Sequence, residues 1–458
     1  MTTIRQTAGR LMRLSLPLVG AHLAQTGIQL VDTLMLGRYS AEALAAAVLA
    51  TSLFFVVFIV GSGFALAVMP LAAAAEARGD GRAARRLMRM GLVLSFLYSL
   101  PALPLMWFSG ELLRRAGQPP ALALGAQEYL RVAMWGLFPA LAVMVFRSTL
   151  SALGRTRMVL AVTLAALVIN AVGDWLLIFG RLGLPELGLV GAALASVLMQ
   201  LVSAAGLALW LARAPGLAAR RWFERIWRLD PATLARLFRT GWPIGMTMLA
   251  ETGLFSAAAL MMGWLGAVPL AAHGIALQLA AMSFMIYLGL ANGATILVGE
   301  AWGRCDPAAI RTTARAAALL AGGFALLATL VFLLWPERLV ALFLDRGDPA
   351  APAILALGRQ LLMVAALFQL ADGAQVLMQG LLRGMADTRV PMVLAALTYW
   401  GVGMTASWAF GIAGPFGGVG VWLGLVIGLG AAAALLALRF RRLLERVERT
   451  GECGVQPE

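Results

Sequence analysis

The sequence predicts an all-α integral membrane protein with twelve transmembrane helices in two six-helix parallel repeats. Three observations lead there. Of 458 residues, 61% are hydrophobic and only 13% charged, whereas a soluble chain carries about 25% charged residues. Apolar stretches near 20 residues, enough to cross the hydrocarbon as a helix, recur along the whole chain. One such stretch also occurs twice: PLVGAHLAQTGIQLVDTLMLG at 17–37 and PIGMTMLAETGLFSAAALMMG at 243–263.

The apolar stretches place spans at 14–36, 46–73, 90–109, 128–150, 159–180 and 189–212 in the first half. In the second half they fall at 240–265, 270–300, 314–334, 356–382, 391–413 and 417–438. The second and eighth exceed one crossing, so tilt or extension into the cytoplasm is expected. The chain has no lysine, and 28 of its 36 basic residues, all arginines, fall on one side of the alternating loops. That asymmetry is the positive-inside pattern and puts both termini in the cytoplasm. The net charge of +14 therefore reports topology, and no nucleic-acid partner is expected. Arginines ahead of the first span resemble a signal peptide, but the run is long, contains Asp32 and lacks a small-residue cleavage site, so an uncleaved first span is expected. Cys305 and Cys453 have no disulfide or metal-ligand spacing, and His22 and His273 stand far apart, so nucleophilic catalysis has no support and no enzyme is expected.

Between the two 21-residue copies Pro17 matches Pro243, Thr26-Gly27 matches Thr252-Gly253 and Gly37 matches Gly263, without gaps. Further on, AEARGDGRAAR at 75–85 parallels GEAWGRCDPAAIR at 299–311, and Thr156-Arg157 parallels Thr388-Arg389. Six helices per half is an even number, so both halves share one orientation, the parallel-repeat arrangement of transporters. The expected organisation is an N-lobe over 1–212 with helices 1–6, a cytoplasmic amphipathic linker over 213–239, a C-lobe over 240–438 with helices 7–12, and a cytoplasmic tail over 439–458. The linker alternates Arg with Trp, Phe, Ile and Leu, as a segment lying along the inner interface does.

The acids break the repeat. Gln25 stands where the second copy has Glu251, and Ala258 stands where the first has Asp32. An acid at a helix centre costs roughly 2.5–3.5 kcal/mol on insertion scales, so such residues face a cavity or a partner. Gln25 and Asp32 lie two turns apart on one side of the first span. Asn170 and Asp174, four residues apart in the fifth, share a face. Their carboxylate and carbonyl oxygens suit Na⁺ or a shared proton. In the tenth span Gln369, Asp372, Gln375 and Gln379 form one polar stripe, and Gln278 in the eighth adds a further polar group. Arg131 and Arg147 fall near span ends, so the expected cavity is lined by acids without internal bases and favours cationic solutes. Pro17 and Pro243 each remove a helical hydrogen bond, as a tolerated kink or as a hinge. The methionines of spans seven and eight are expected mainly to pack, though flexible Met surfaces also suit promiscuous recognition.

VDTLMLG (31–37), NAVGDWLLIFG (170–180), PELGLVGAALAS (185–196), PLAAHGIALQ (269–278) and LLRGMADTRVPM (381–392) together resemble the multidrug and toxic compound extrusion (MATE) transporters, over residues 10 to about 435. The resemblance implies two six-helix lobes around a central cavity, with inward flow of Na⁺ or H⁺ driving drug export. It implies an N-lobe cation site at Asp32, Asn170 and Asp174, and a bending proline at Pro17. Glu251 and Asp372 match C-lobe acids of the NorM-type branch, which the DinF-type branch tends to lack. With Gln278, Gln375 and Gln25 they would line a substrate or second cation pathway. Na⁺ at one of these acid clusters is the one metal expected, and no cofactor beyond the coupling ion, H⁺ or Na⁺, is implied. The expected partners are small amphipathic cations and membrane lipids, and the expected setting is a monomer in a bacterial inner membrane. A flippase for lipid or polysaccharide precursors, of the same wider superfamily, is the alternative; it would need basic residues lining the cavity.

Overall fold

Twelve long helices follow one another along the chain, and no strand forms among the described residues. The structure is a computed structural model and describes residues 3–226, 228–345, 347–451 and 453; the end of the expected tail, 454–458, lies outside them. We number the helices α1 (Ile4–Tyr39), α2 (Ala41–Ala77), α3 (Gly81–Trp107), α4 (Pro120–Ala152), α5 (Thr156–Ile178) and α6 (Gly188–Arg213). Then come α7 (Pro231–Leu265), α8 (Ala267–Gly303), α9 (Pro307–Leu334), α10 (Ala351–Gly384), α11 (Arg389–Ile412) and α12 (Gly417–Thr450). Each coincides with one predicted span. Helices α7 and α12 run past the predicted bounds, so residues read as linker and tail are partly helical.

Polar caps stop and start these helices at equivalent places in the repeat. Asp80 accepts from the Ala83 amide at 2.9 Å to open α3, and Asp306 accepts from the Ala309 amide at 2.9 Å to open α9. Such caps are each worth about 1 kcal/mol. Leucines and tryptophans on the outer faces, such as Trp135, Leu260, Trp264 and Leu334, are exposed. That suits a hydrocarbon solvent, in which helices satisfy their backbone internally.

Two compact units result: residues 20–245, and residues 1–19 together with 246–458. They do not divide between α6 and α7. The chain passes from one unit to the other inside α1, two residues after Pro17, and inside α7, two residues after Pro243. The first 16 of the 36 residues of α1 therefore pack with the later helices. Arg10 pairs with Glu300 at 2.7 Å, and a Cβ on Gly289 of α8 would stand 3.0 Å from the Val19 nitrogen. In the other unit the start of α7 packs on α2, where a Cβ on Gly63 would stand 2.7 Å from Gly245 Cα. Gly63 and Gly289 are repeat equivalents, and only the missing side chain lets the backbones meet there.

In the unit of residues 20–245, α5 lies along α6, and α2 packs against α3 and α4. Its core includes Leu36, Met106, Tyr129, Leu137 and Ile178. The segment between α6 and α7 is bound to this unit rather than lying free. Trp222 is fully buried, Arg85 donates to the Arg220 carbonyl at 2.9 Å, Arg89 donates to the Arg225 carbonyl at 3.0 Å, and Arg220 pairs with Glu76. In the other unit α8 and α10 pack along each other, and α10 also meets α12. Phe368, Tyr399 and Trp422 belong to that core. The Trp422 indole donates to His273 Nδ1 at 3.1 Å, so His273 is a buried structural partner. The cytoplasm-assigned end of α12 is anchored by Arg439 on Asp387 at 2.7 Å and by Glu448 with Arg311.

Candidate functional site

Within residues 20–245 the three N-lobe candidates meet. Asn170 and Asp174 project from one face of α5 because four residues make about one turn, and both are 0% exposed. Asn170 Nδ2 donates to Asp174 Oδ2 at 3.0 Å and also to Asp32 Oδ1 of α1. The carboxyls of Asp32 and Asp174 reach each other as well, within hydrogen-bonding distance when one carries a proton. Asn170 Oδ1 and Asp174 Oδ1 are buried without a hydrogen-bond partner. One amide thus bridges two acids and leaves hard oxygens uncommitted. Two carboxylates this close repel unless a proton or a cation sits between them.

Asp32 also lines a cavity of about 290 Å³ together with Gln25, Gln29, Tyr129, Ser196 and Gln200. Phe54, Phe55 and Phe58 supply an aromatic wall. Tyr129 and Ser196, from different helices, meet at this cavity. Sequence reading did not find Tyr129 or Ser196. Tyr129 had one signal, rarity, since the chain has five tyrosines, and Ser196 had none.

Gln25 belongs to this unit, and Glu251 and Asp372 to the other. Its Oε1 accepts from Arg147 Nη1 at 3.0 Å. Arg147 lies within α4 and lines a small pocket with Gln25, Thr163, Gln200 and Ser203. This corrects the expectation of a cavity without internal bases. α4 continues to Ala152 as helix, so Arg147 stands more than one turn inside it. Arg131, eleven residues into α4, is by contrast exposed and stacked 4.9 Å from the Trp107 ring.

In the other unit Asp372 and Glu251 feel each other's charge, and Arg383 of α10 adds a positive charge near Glu251. Asp372 is 1% exposed, and its Oδ1, Glu251 Oε1 and Gln375 Oε1 are buried without hydrogen-bond partners. Gln375 and Gln379 both donate to the Tyr399 hydroxyl, the second at 3.1 Å. A π-helical stretch of α11, Leu397–Met404, carries Tyr399; such irregular turns often mark functional positions. Tyr399 and Arg383 escaped sequence reading. Gln278 is exposed on α8 and makes no hydrogen bond among the described residues. Pro17 stands inside α1, as read. Among the described residues no group of three His, Cys, Asp or Glu has a metal-holding arrangement.

The family described as MatE matches this chain twice, over residues 17–176 and 243–409, one match per sequence repeat. A protein of Rhizobium meliloti strain 1021 named probable multidrug resistance protein NorM is 46% identical over 434 residues, covering 95% of this chain and 93% of the relative. A protein of the same name from Agrobacterium fabrum is 43% identical, covering 95% and 94%. Among solved structures, a MATE crystal structure in complex with MaL6 superposes with a TM-score of 0.86 at 21% identity, covering 98% of each chain. The eukaryotic MATE transporter AtDTX14 superposes with a TM-score of 0.83 at 19% identity, covering 97% of this chain and 99% of that one. At these identities the two structures speak to the fold.

Proposed function

This chain belongs to the MatE family, and from that premise we propose how its two acid clusters serve multidrug efflux. It is a NorM-like multidrug efflux transporter, a multi-pass protein of the bacterial inner membrane that moves small molecules rather than transforming them. Our reading is antiport: H⁺ or Na⁺ binds at Asp32, Asn170 and Asp174, and an amphipathic cation leaves the cytoplasm in exchange. The observation that carries it is the Asn170 amide holding together the carboxyl of Asp174 and that of Asp32, which lines a cavity. Binding a proton or cation there removes the repulsion and changes which arrangement of the chain is favoured. Linkage then requires the ion and the exported molecule to weaken each other's binding.

Glu251 and Asp372 supply charge along the substrate or second cation pathway, with Gln375 and Tyr399 ordering the groups around them. Pro17 supplies the bending point of α1, a role supported by its place just before the passage between compact units. The arginine asymmetry supports cytoplasmic termini, and the exposed apolar side chains support direct lipid contact. Ethidium transport in vesicles under an imposed Na⁺ gradient, compared with an imposed pH gradient, tests the coupling. One gradient should drive ethidium movement and the other should not. Indifference to both would remove the antiport reading.

A further inference from the structure

We propose that Arg147 is the anion-recognising residue of the cavity in residues 20–245, and that this cavity takes amphoteric organic molecules with one cationic and one carboxylate end. The proposal rests on the efflux reading and narrows its substrate class. The cavity bordered by Asp32 and the pocket of about 40 Å³ bordered by Arg147 share Gln25, Ile28, Phe58, Ala140, Met199 and Gln200, so the two adjoin along a common wall. An acid borders one and a base the other. Gln25, which touches Arg147, precedes Asp32 by seven residues on α1, roughly 10 Å along the helix axis. A drug-sized molecule spans that separation, and Phe54, Phe55 and Phe58 offer its ring system an apolar wall.

A purely structural arginine would be expected to hold a carboxylate. Among the described residues Arg147 has no ion pair. It uses one of its five donors on the neutral Gln25 amide. His22, which lies within its electrostatic reach, adds no negative charge. Arg147 lines a pocket beside Gln25, and that amide is its one hydrogen-bond partner among the described residues. A planar fork of donors beside a neutral amide is the arrangement that receives a carboxylate in two parallel bonds. An uncompensated arginine inside a membrane helix is costly enough that such residues mark ligand or ion paths.

The test uses the purified full-length protein and two dyes that differ only at the anionic end: a zwitterionic carboxy-rhodamine and its cationic methyl ester. Binding is read by fluorescence polarisation for the parent, Arg147→Gln and Arg147→Lys. Arg147→Gln should weaken the free acid by about tenfold or more, the range for a hydrogen bond to a charged group. The ester should bind unchanged, which also shows that the variant is folded, and Arg147→Lys should restore part of the free-acid affinity. Equal weakening of both dyes, an unaltered free acid, or a parent protein that binds neither dye overturns the proposal. If the binding pattern holds while neither ion gradient moves either dye in vesicles, the efflux reading fails and the anion subsite stands.

Discussion

In residues 20–245 a cavity-lining carboxyl, that of Asp32, and a buried one, that of Asp174, share one amide, whereas in the other unit Glu251 and Asp372 are set among Arg383, two glutamines and Tyr399. The backbone devices of the two repeats coincide: Pro17 with Pro243, Gly63 with Gly289, Asp80 with Asp306. The acids do not. A duplicated scaffold can thus hold its shape at matching positions while its charges are free to differ. The first cluster concentrates negative charge and asks for a small cation or proton. The second has a nearby arginine to offset part of its charge, which suits a group that must also let a larger cation go.

Substitution at the first cluster should have the largest effect. Asp174→Asn keeps the shape and removes one charge, so ion-driven ethidium export should fall roughly 100-fold, near the upper end of typical coupling energies. Vesicle transport under the effective gradient measures it, and full retention would erase the distinction between the units. A smaller, different loss is expected from Glu251→Gln and Asp372→Asn. Ethidium affinity should drop about tenfold, the scale of losing one charge-assisted contact, while dependence on the same ion persists. If these variants instead uncouple transport, both units carry the ion. The smallest effect tests the shared scaffold. Gly63→Ala and Gly289→Ala should each destabilise the protein by about 1–3 kcal/mol through overpacking, seen as lower thermal midpoints in detergent. Gly430→Ala, where an added Cβ meets nothing within 4 Å, should leave the midpoint in place.

Eleven of the twelve helices were legible because a hydrocarbon solvent imposes a length and an apolar composition that a hydropathy window detects, and the more polar α1 was legible through its repeat with α7. The meeting of Asn170 with Asp174 was legible from spacing on one helix, and the part of Asp32 came through the family resemblance. Arg147 was misplaced because nearness to a span end does not tell where a side chain points, and this one turns to Gln25 of another helix. Tyr129 with Ser196, and Tyr399 with Gln375 and Gln379, meet across different helices, and no periodicity within one segment encodes such a contact. The arginine-rich starts and ends of α7 and α12 read as linker and tail because charge hides helical continuity from a hydropathy scale. The passage of α1 and α7 between units left no trace either, since either packing needs the same small residues.

That passage bears on ancestry. A half-length chain ending near α6 would lack the α7 segment that covers its Gly63, while the start of its own α1 would have nowhere within the half to dock. If the present packing is old, the unduplicated ancestor could complete itself only as a pair of identical chains exchanging the starts of their first helices. Fusion of two such genes then turned an exchange between molecules into a connection within one, and left each copy free to acquire acids of its own.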